Sequence, residues 1–333
     1  ILSFAIPYAF RLFPRRWSYT LGAGLIALCG ALLATDTISG QLGAMFVRTF
    51  GAATLNITLN LYILDHIHKS ELVRSEPLRY AVSTFAWVGA PLAGVWLYER
   101  WGVAAVGLVP IAGAALLVVV FWYLRMSEKG PIRAAGMMPP SPFASIGRFL
   151  EQPRLRLAWL IAFGRSAFWT TFFVYLPILM VEGGYGPMAG GIAIAAGNLM
   201  IFNNLFVTSW ARSYSLRRML AIAFHGSAVL TLATGLFGTS QAMVAGIAMV
   251  AASFFVAMLD GLGPIPFLRA GRAHEGPQMT TVYRTYLDAS ELLPPFVYFF
   301  AFMLLGFSGA FYVLAILMTV TGMAVWKYIP PRL

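Results

Sequence analysis

Residues 242–305 read AMVAGIAMVAASFFVAMLDGLGPIPFLRAGRAHEGPQMTTVYRTYLDASELLPPFVYFFAFMLL, and the position of charge within them decides the fold. Two long apolar runs lie here, at 242–268 and 279–305. Each is long enough to cross a hydrocarbon core of about 30 Å, which takes about 20 residues at 1.5 Å rise. Yet Asp260 stands in the first run and Arg284, Asp288 and Glu291 in the second. A charge at bilayer depth costs about 2.5 to 3.5 kcal/mol on insertion scales, so each of the four is a candidate for function.

Composition agrees with a chain built for lipid. Of its 333 residues, 59% are hydrophobic and 11% charged, with a mean hydropathy of +0.77, whereas a soluble domain carries about 25% charged residues. Helices are the expected spanning structure, because a helix satisfies its own backbone hydrogen bonds where water is absent. The apolar segments fall at 18–35, 41–64, 79–98, 103–124, 157–180, 188–210, 219–238, 242–268, 279–305 and 309–328. The lone cysteine, Cys29, permits no intrachain disulfide, and the histidines have no acidic or thiol partners at metal-ligand spacing. Neither a metal nor another cofactor is expected.

A formal charge of +11 would point to nucleic acid in a soluble protein. Here nineteen of the twenty-three Lys and Arg residues fall in alternate loops and ends, at 11–16, 69–79, 125–156, 212–218, 269–272 and 327–332, while the opposite loops hold Arg100 alone. That asymmetry places the first set in the cytoplasm and needs no nucleic-acid partner. The central linker and the C-terminus are thus expected inside the cell, with Cys29 and the 99–102 turn toward the other face of a cell (inner) membrane. Arg48, Arg165 and Arg284 remain, and all three lie inside apolar segments.

Features recur at an offset of about 200 residues: FPRRW at 13–17 matches SLRRM at 215–219, and Asp65 matches Asp260. The repeat divides the chain into an N-terminal half (1–124), a Pro-rich linker (125–156) and a C-terminal half (157–333). The segment 157–180 then has its counterpart roughly 45 residues before Ile1, so the first helix and part of the second are expected to precede this sequence.

Three stretches carry a family resemblance. PYAFRLFPRRWSYTLG at 7–22 is similar to the first cytoplasmic loop of the major facilitator superfamily, Gly-x-x-x-Asp-Arg-x-Gly-Arg-Arg. Arg15 and Arg16 match, while Pro7, Arg11 and Pro14 replace the first Gly, the Asp and the second Gly. RTFGAA at 48–53 resembles the family's membrane-embedded Arg-x-x-x-Gly element, with the glycine one residue early. VGAPLAG at 88–94 resembles the Gly-Pro-x-x-Gly element of antiporter branches, with Ala90 in place of a glycine. The resemblance implies an all-α membrane protein of two pseudo-symmetric six-helix halves that rock around a central site. It also implies gating by Arg11, Arg15 and Arg16, with a part for Arg48 in proton relay.

Arg284, Asp288 and Glu291 are spaced i, i+4 and i+7, so a straight helix stacks them on one face. Arg284 and Asp288 can neutralise each other. Glu291, just before Pro294 and Pro295, is the leading proton carrier, since those prolines free backbone carbonyls and permit a bend. Asp260 precedes Gly261, Gly263, Pro264 and Pro266 and is read either as a cavity acid or as a cap at a helix break. Asp65 is placed at a gate or the surface. Arg165 would grip an anionic substrate through its planar fork or hold a proton-carrying acid ionised; snorkelling is the other reading. Around it, Phe163, Phe168, Trp169, Phe172, Phe173 and Tyr175 would form either a cavity wall or a lipid-facing surface. Asn198, Asn203 and Asn204 would contact substrate or bond between helices.

These features lead to a secondary transporter, expected to be a monomer, moving a small organic molecule by alternating access with protons as the coupling ion. VGAPLAG tilts the expectation toward export by an antiporter, and proton-driven import of an organic anion or sugar is the alternative. GFSG at 306–309 resembles a rhomboid nucleophile site, but the helix after Ser308 holds no histidine to act as base. A transport-dead sensor on the same fold is a third reading.

Overall fold

The computed structural model describes residues 15–66, 69–123, 142–203, 214–270 and 276–330. They form α1 (Arg15–Leu33), α2 (Ile38–His66), α3 (Lys69–Tyr123), α4 (Pro142–Glu151), α5 (Pro153–Glu182), α6 (Gly186–Leu199), α7 (Leu216–Phe237), α8 (Ala242–Leu262), α9 (Ile265–Ala270), α10 (Gly276–Tyr283), α11 (Thr285–Leu305) and α12 (Gly309–Tyr328). No strand occurs among the described residues. Among the described residues, six stretches are long and apolar enough to cross a membrane: Phe85–Tyr123, Pro153–Glu182, Leu216–Phe237, Thr239–Ala270, Thr285–Leu305 and Gly309–Tyr328.

The chain forms two compact units, one of residues 1–85 and 93–138 and the other of 86–92 and 139–333. In the first, α1 packs along α2, and Gly30 of α1 faces Gly107 of α3. A Cβ added at Gly107 would stand 2.5 Å from the Gly30 carbonyl oxygen, so the two backbones touch only because both side chains are absent. Gly102, at φ 77° and ψ −174°, breaks α3 into two rods, at the expected 99–102 turn. Near the start of α1, Tyr19 stacks on Phe121 at 4.3 Å and Trp122 donates to Thr20 Oγ1 at 3.2 Å.

The second unit is built around α5. Pro153 occupies its first turn, where no intrahelical partner for an N–H is required. Phe168, Phe172 and Leu176 of α5 are fully buried against Phe224, Met249, Val256, Phe311 and Leu314 from α7, α8 and α12. Helices α7 and α12 run antiparallel: Tyr312 donates to the Gly235 carbonyl at 3.0 Å, and Gly322 lies against His225. Lipid removes the usual hydrophobic drive between such helices, so close packing and hydrogen bonds hold them.

Helix α11 is attached differently. Its buried residues are Ser290, Pro294, Tyr298 and Ala301, a single stripe at i, i+4, i+8 and i+11. That stripe runs parallel to α5 and is joined to it by hydroxyls: Ser290 Oγ donates to Ser166 Oγ at 2.7 Å, and Thr171 and Tyr298 share a 2.8 Å bond. Above them Trp159 Nε1 donates to Thr285 Oγ1 at 3.1 Å. Most of its other residues are exposed and apolar, while Tyr286 and Phe302 are half-buried.

Two expectations change in detail. The segment 279–305 is not one straight helix: a turn at Arg284 separates α10 from α11. Arg284, Asp288 and Glu291 nevertheless all stand on exposed positions. Of the aromatic wall proposed on α5, Phe168, Phe172 and Tyr175 are buried, because the 3.6-residue repeat turns them toward α7, α8, α11 and α12. Phe163, Trp169 and Phe173 remain half-exposed.

Candidate functional site

The strongest polar constellation inside the spans joins three helices of the second unit. Arg165 lies near the middle of α5, Asp260 one turn before the Gly263-Pro264 break after α8, and Tyr286 in the first turn of α11. Antiparallel packing of α5 on α8 brings Arg165 to Asp260, just as it brings Met180 to Gly246. Arg165 Nη1 donates to Asp260 Oδ1 in a direct ion pair, the side chains being 20% and 17% exposed. Arg165 Nη2 donates to the Tyr286 hydroxyl at 3.2 Å, and the guanidinium carbon lies 5.8 Å from the Tyr286 ring centre.

Aromatic rings bound this group on two sides. Tyr286 meets Tyr283 edge to face at 5.2 Å, and Tyr283 stacks on Phe267 of α9 at 4.0 Å. On α5, Trp169 stacks with Phe173 at 5.6 Å, and Trp159 with Phe163 at 5.1 Å. The ion pair is therefore neither a helix cap nor a snorkelled surface contact. It is a salt bridge between spanning helices, partly open and flanked by half-exposed aromatic surface.

Such a pair can do two things chemically. Protonating Asp260 removes the negative partner and releases the arginine. Alternatively, an incoming carboxylate or phosphate can take the place of Asp260 on the planar guanidinium fork. Only the second supplies a new negative partner; protonation leaves the Arg165 charge facing neutral groups, with the Tyr286 hydroxyl still bonded to it.

The other candidates lie elsewhere. Asp288 and Glu291 are exposed on α11, and Arg48 is exposed on α2. Asn198 is fully buried and donates Nδ2 to the Trp87 carbonyl at 2.6 Å, while buried Asn203 donates to the Phe254 carbonyl at 3.5 Å. Both asparagines bond within the packed second unit rather than face open space. Arg15, Arg16 and Asp65 lie in helices, but their side chains fall outside the described residues, as do Arg11 and Asn204 altogether.

Sequence reading missed Tyr286, Ser166 and Ser290. The available signal was the periodicity of α11: Tyr286 and Ser290 are i and i+4, and the same stripe continues through Pro294 and Tyr298. Ser308 sits at the start of α12 and His225 bonds its own helix, Nδ1 to the Ala221 carbonyl at 2.8 Å. His225, the one histidine whose side chain is among the described residues, is roughly 20 Å along α7 from the turn beside Ser308, too far to act as its base.

The family model described as Major Facilitator Superfamily matches residues 1–289. No curated protein matches the chain. Among solved structures, the chain is similar to a POT family transporter in complex with 5-aminolevulinic acid, at 13% identity and a TM-score of 0.77, over 97% of this chain and 84% of that one. It is similar to the transporter FucP in the outward conformation, at 16% identity and a TM-score of 0.61, over 98% and 86%. A D-xylose-proton symporter aligns at 11% identity and a TM-score of 0.70, over 99% and 84%.

Proposed function

Because the chain belongs to the major facilitator superfamily, we propose that it moves a small organic molecule across a cell (inner) membrane by alternating access, with protons as the coupling ion. It is a multi-pass membrane transporter and not an enzyme. The observation that carries the proposal is the Arg165–Asp260 ion pair between α5 and α8, with Tyr286 of α11 on the same guanidinium. A carboxylate within a span, held by an exchangeable partner, is the chemistry that proton coupling requires.

Two acids divide the work in this reading. Asp260 holds Arg165 while the site is empty, and Glu291, exposed on α11, takes up the coupling proton. Trp169 and Phe173 present a half-exposed aromatic surface beside Arg165, which suits an organic anion. Cargo binding to Arg165 would compete with Asp260 for the guanidinium. One chain suffices for this site, and its expected partners are the cargo, protons and the lipid bilayer. The basic linker and C-terminus face the cytoplasm on the positive-inside argument.

Direction has two readings, each with its own support. VGAPLAG in α3 favours export by antiport, while the names of the sugar-transporting neighbours, fucose and D-xylose proton symporters, favour import. The experiment is ligand-induced thermal stabilisation of full-length protein across labelled organic anions and sugars, followed by vesicle flux with a pH gradient of either sign. Accumulation on the acidic side supports antiport and accumulation on the alkaline side supports symport. Flux of every bound compound that ignores both gradients would remove proton coupling.

A further inference from the structure

The starts of α5 and α7, the short helix α9 and the end of α12 meet around a cavity of about 110 Å³ in the second unit. Its polar lining is Arg154, Arg269 and Tyr328, and its apolar wall includes Leu157, Leu216 and Pro266. Arg154 and Arg269 are exposed at its edge, and among the described residues neither forms an ion pair. Arg217, beside this wall, is already stacked over Trp326 at 4.3 Å. The volume lies well below the roughly 300–1,000 Å³ of sites that enclose a drug-sized ligand. Two guanidinium groups and a phenol beside an apolar wall fit a small oxyanion that continues into hydrocarbon.

We propose that this cavity binds the phosphate of an anionic phospholipid. Arg154 grips its oxygens from α5 and Arg269 from α9, each presenting a planar fork that matches phosphate geometry. The glycerol region lies against Leu157, Leu216 and Pro266. A free phosphate would leave that apolar surface unused, whereas a phospholipid covers it. Further basic residues on the same helix ends, Arg156, Arg218 and Lys327, draw an anionic leaflet toward the cavity. The two gripping arginines belong to α5 and to α9, which directly follows α8. The bound headgroup therefore ties together the ends of the two elements whose Arg165 and Asp260 pair. This inference rests on the membrane location of the chain and does not require the proposed coupling.

The test is native mass spectrometry and thermal unfolding of full-length detergent-solubilised protein with phosphatidylglycerol, phosphatidylcholine or inorganic phosphate. Phosphatidylglycerol should remain bound and raise Tm, with little effect from the other two. Arg154→Gln with Arg269→Gln should lower the bound fraction about tenfold. Arg100→Gln with Arg148→Gln, an equal loss of charge at exposed positions outside the lining, should change it less than about twofold. Should the first double variant fold poorly, Arg154→Lys with Arg269→Lys keeps both charges and should still bind more weakly than wild type. The proposal is overturned if lysine binds as well as arginine, if both glutamine pairs lose lipid equally, or if inorganic phosphate raises Tm as much as phosphatidylglycerol.

Discussion

Arg165 and Asp260 set the terms at the residue scale. Replacing Asp260 by Asn leaves a partly buried guanidinium facing a neutral amide, and breaking a buried pair from one side costs about 3–5 kcal/mol. Asp260→Asn should therefore lower Tm and abolish accumulation, while Arg165→Met with Asp260→Leu should recover Tm without recovering transport. Unfolding curves and vesicle flux on the same preparations check both halves, and an unchanged Tm for Asp260→Asn would remove the pair from the stability argument. Glu291→Gln keeps shape and hydrogen bonding but cannot titrate. It should preserve downhill exchange and abolish accumulation against a gradient. Wild-type accumulation by that variant would transfer the coupling role to Asp260.

Helices α11 and α7 illustrate two ways of holding an element. The α7–α12 contact is packed backbone against rings, whereas α11 reaches α5 through hydroxyls at Ser290 and Tyr298. A hydroxyl pair contributes about 1 kcal/mol net, so under the proposed alternating access these contacts could be exchanged for others. Tyr298→Phe and Thr171→Val should each lower Tm by an amount equivalent to about 1 kcal/mol. The double variant should cost less than the sum, because both remove one 2.8 Å bond. Additive losses in the cycle would show that the two side chains act separately. In the first unit, Gly107→Leu forces a side chain into the Gly30 backbone and should reduce folded protein sharply, as measured by monodisperse yield.

The whole molecule must also be oriented in the membrane. Cys29 is only 3% exposed, so labelling needs a probe elsewhere: Glu99→Cys in a Cys29→Ser background, with Arg148→Cys as its counterpart. An impermeant thiol reagent applied to intact cells should modify position 99 and spare 148; the reverse pattern would invert the topology. Much of the architecture was legible from residues alone, because hydropathy and backbone self-satisfaction are properties of a segment. The apolar runs 157–180, 219–238 and 309–328 correspond to α5, α7 and α12, and Arg165 and Asp260, which pair between α5 and α8, could each be named as candidates. Gly102 ended a rod where the turn was expected. What local pattern could not specify was partnership. Arg165 and Asp260 are 95 residues apart, and whether they meet depends on how two helices are rotated and which neighbours they take. The same holds for Tyr286 on that guanidinium and for the buried placement of Asn198. The sequence by itself determined a multi-pass helical membrane chain with ionisable residues in its apolar runs. The tertiary structure decided which charge neutralises which, because only packing brings distant helix faces to hydrogen-bonding distance.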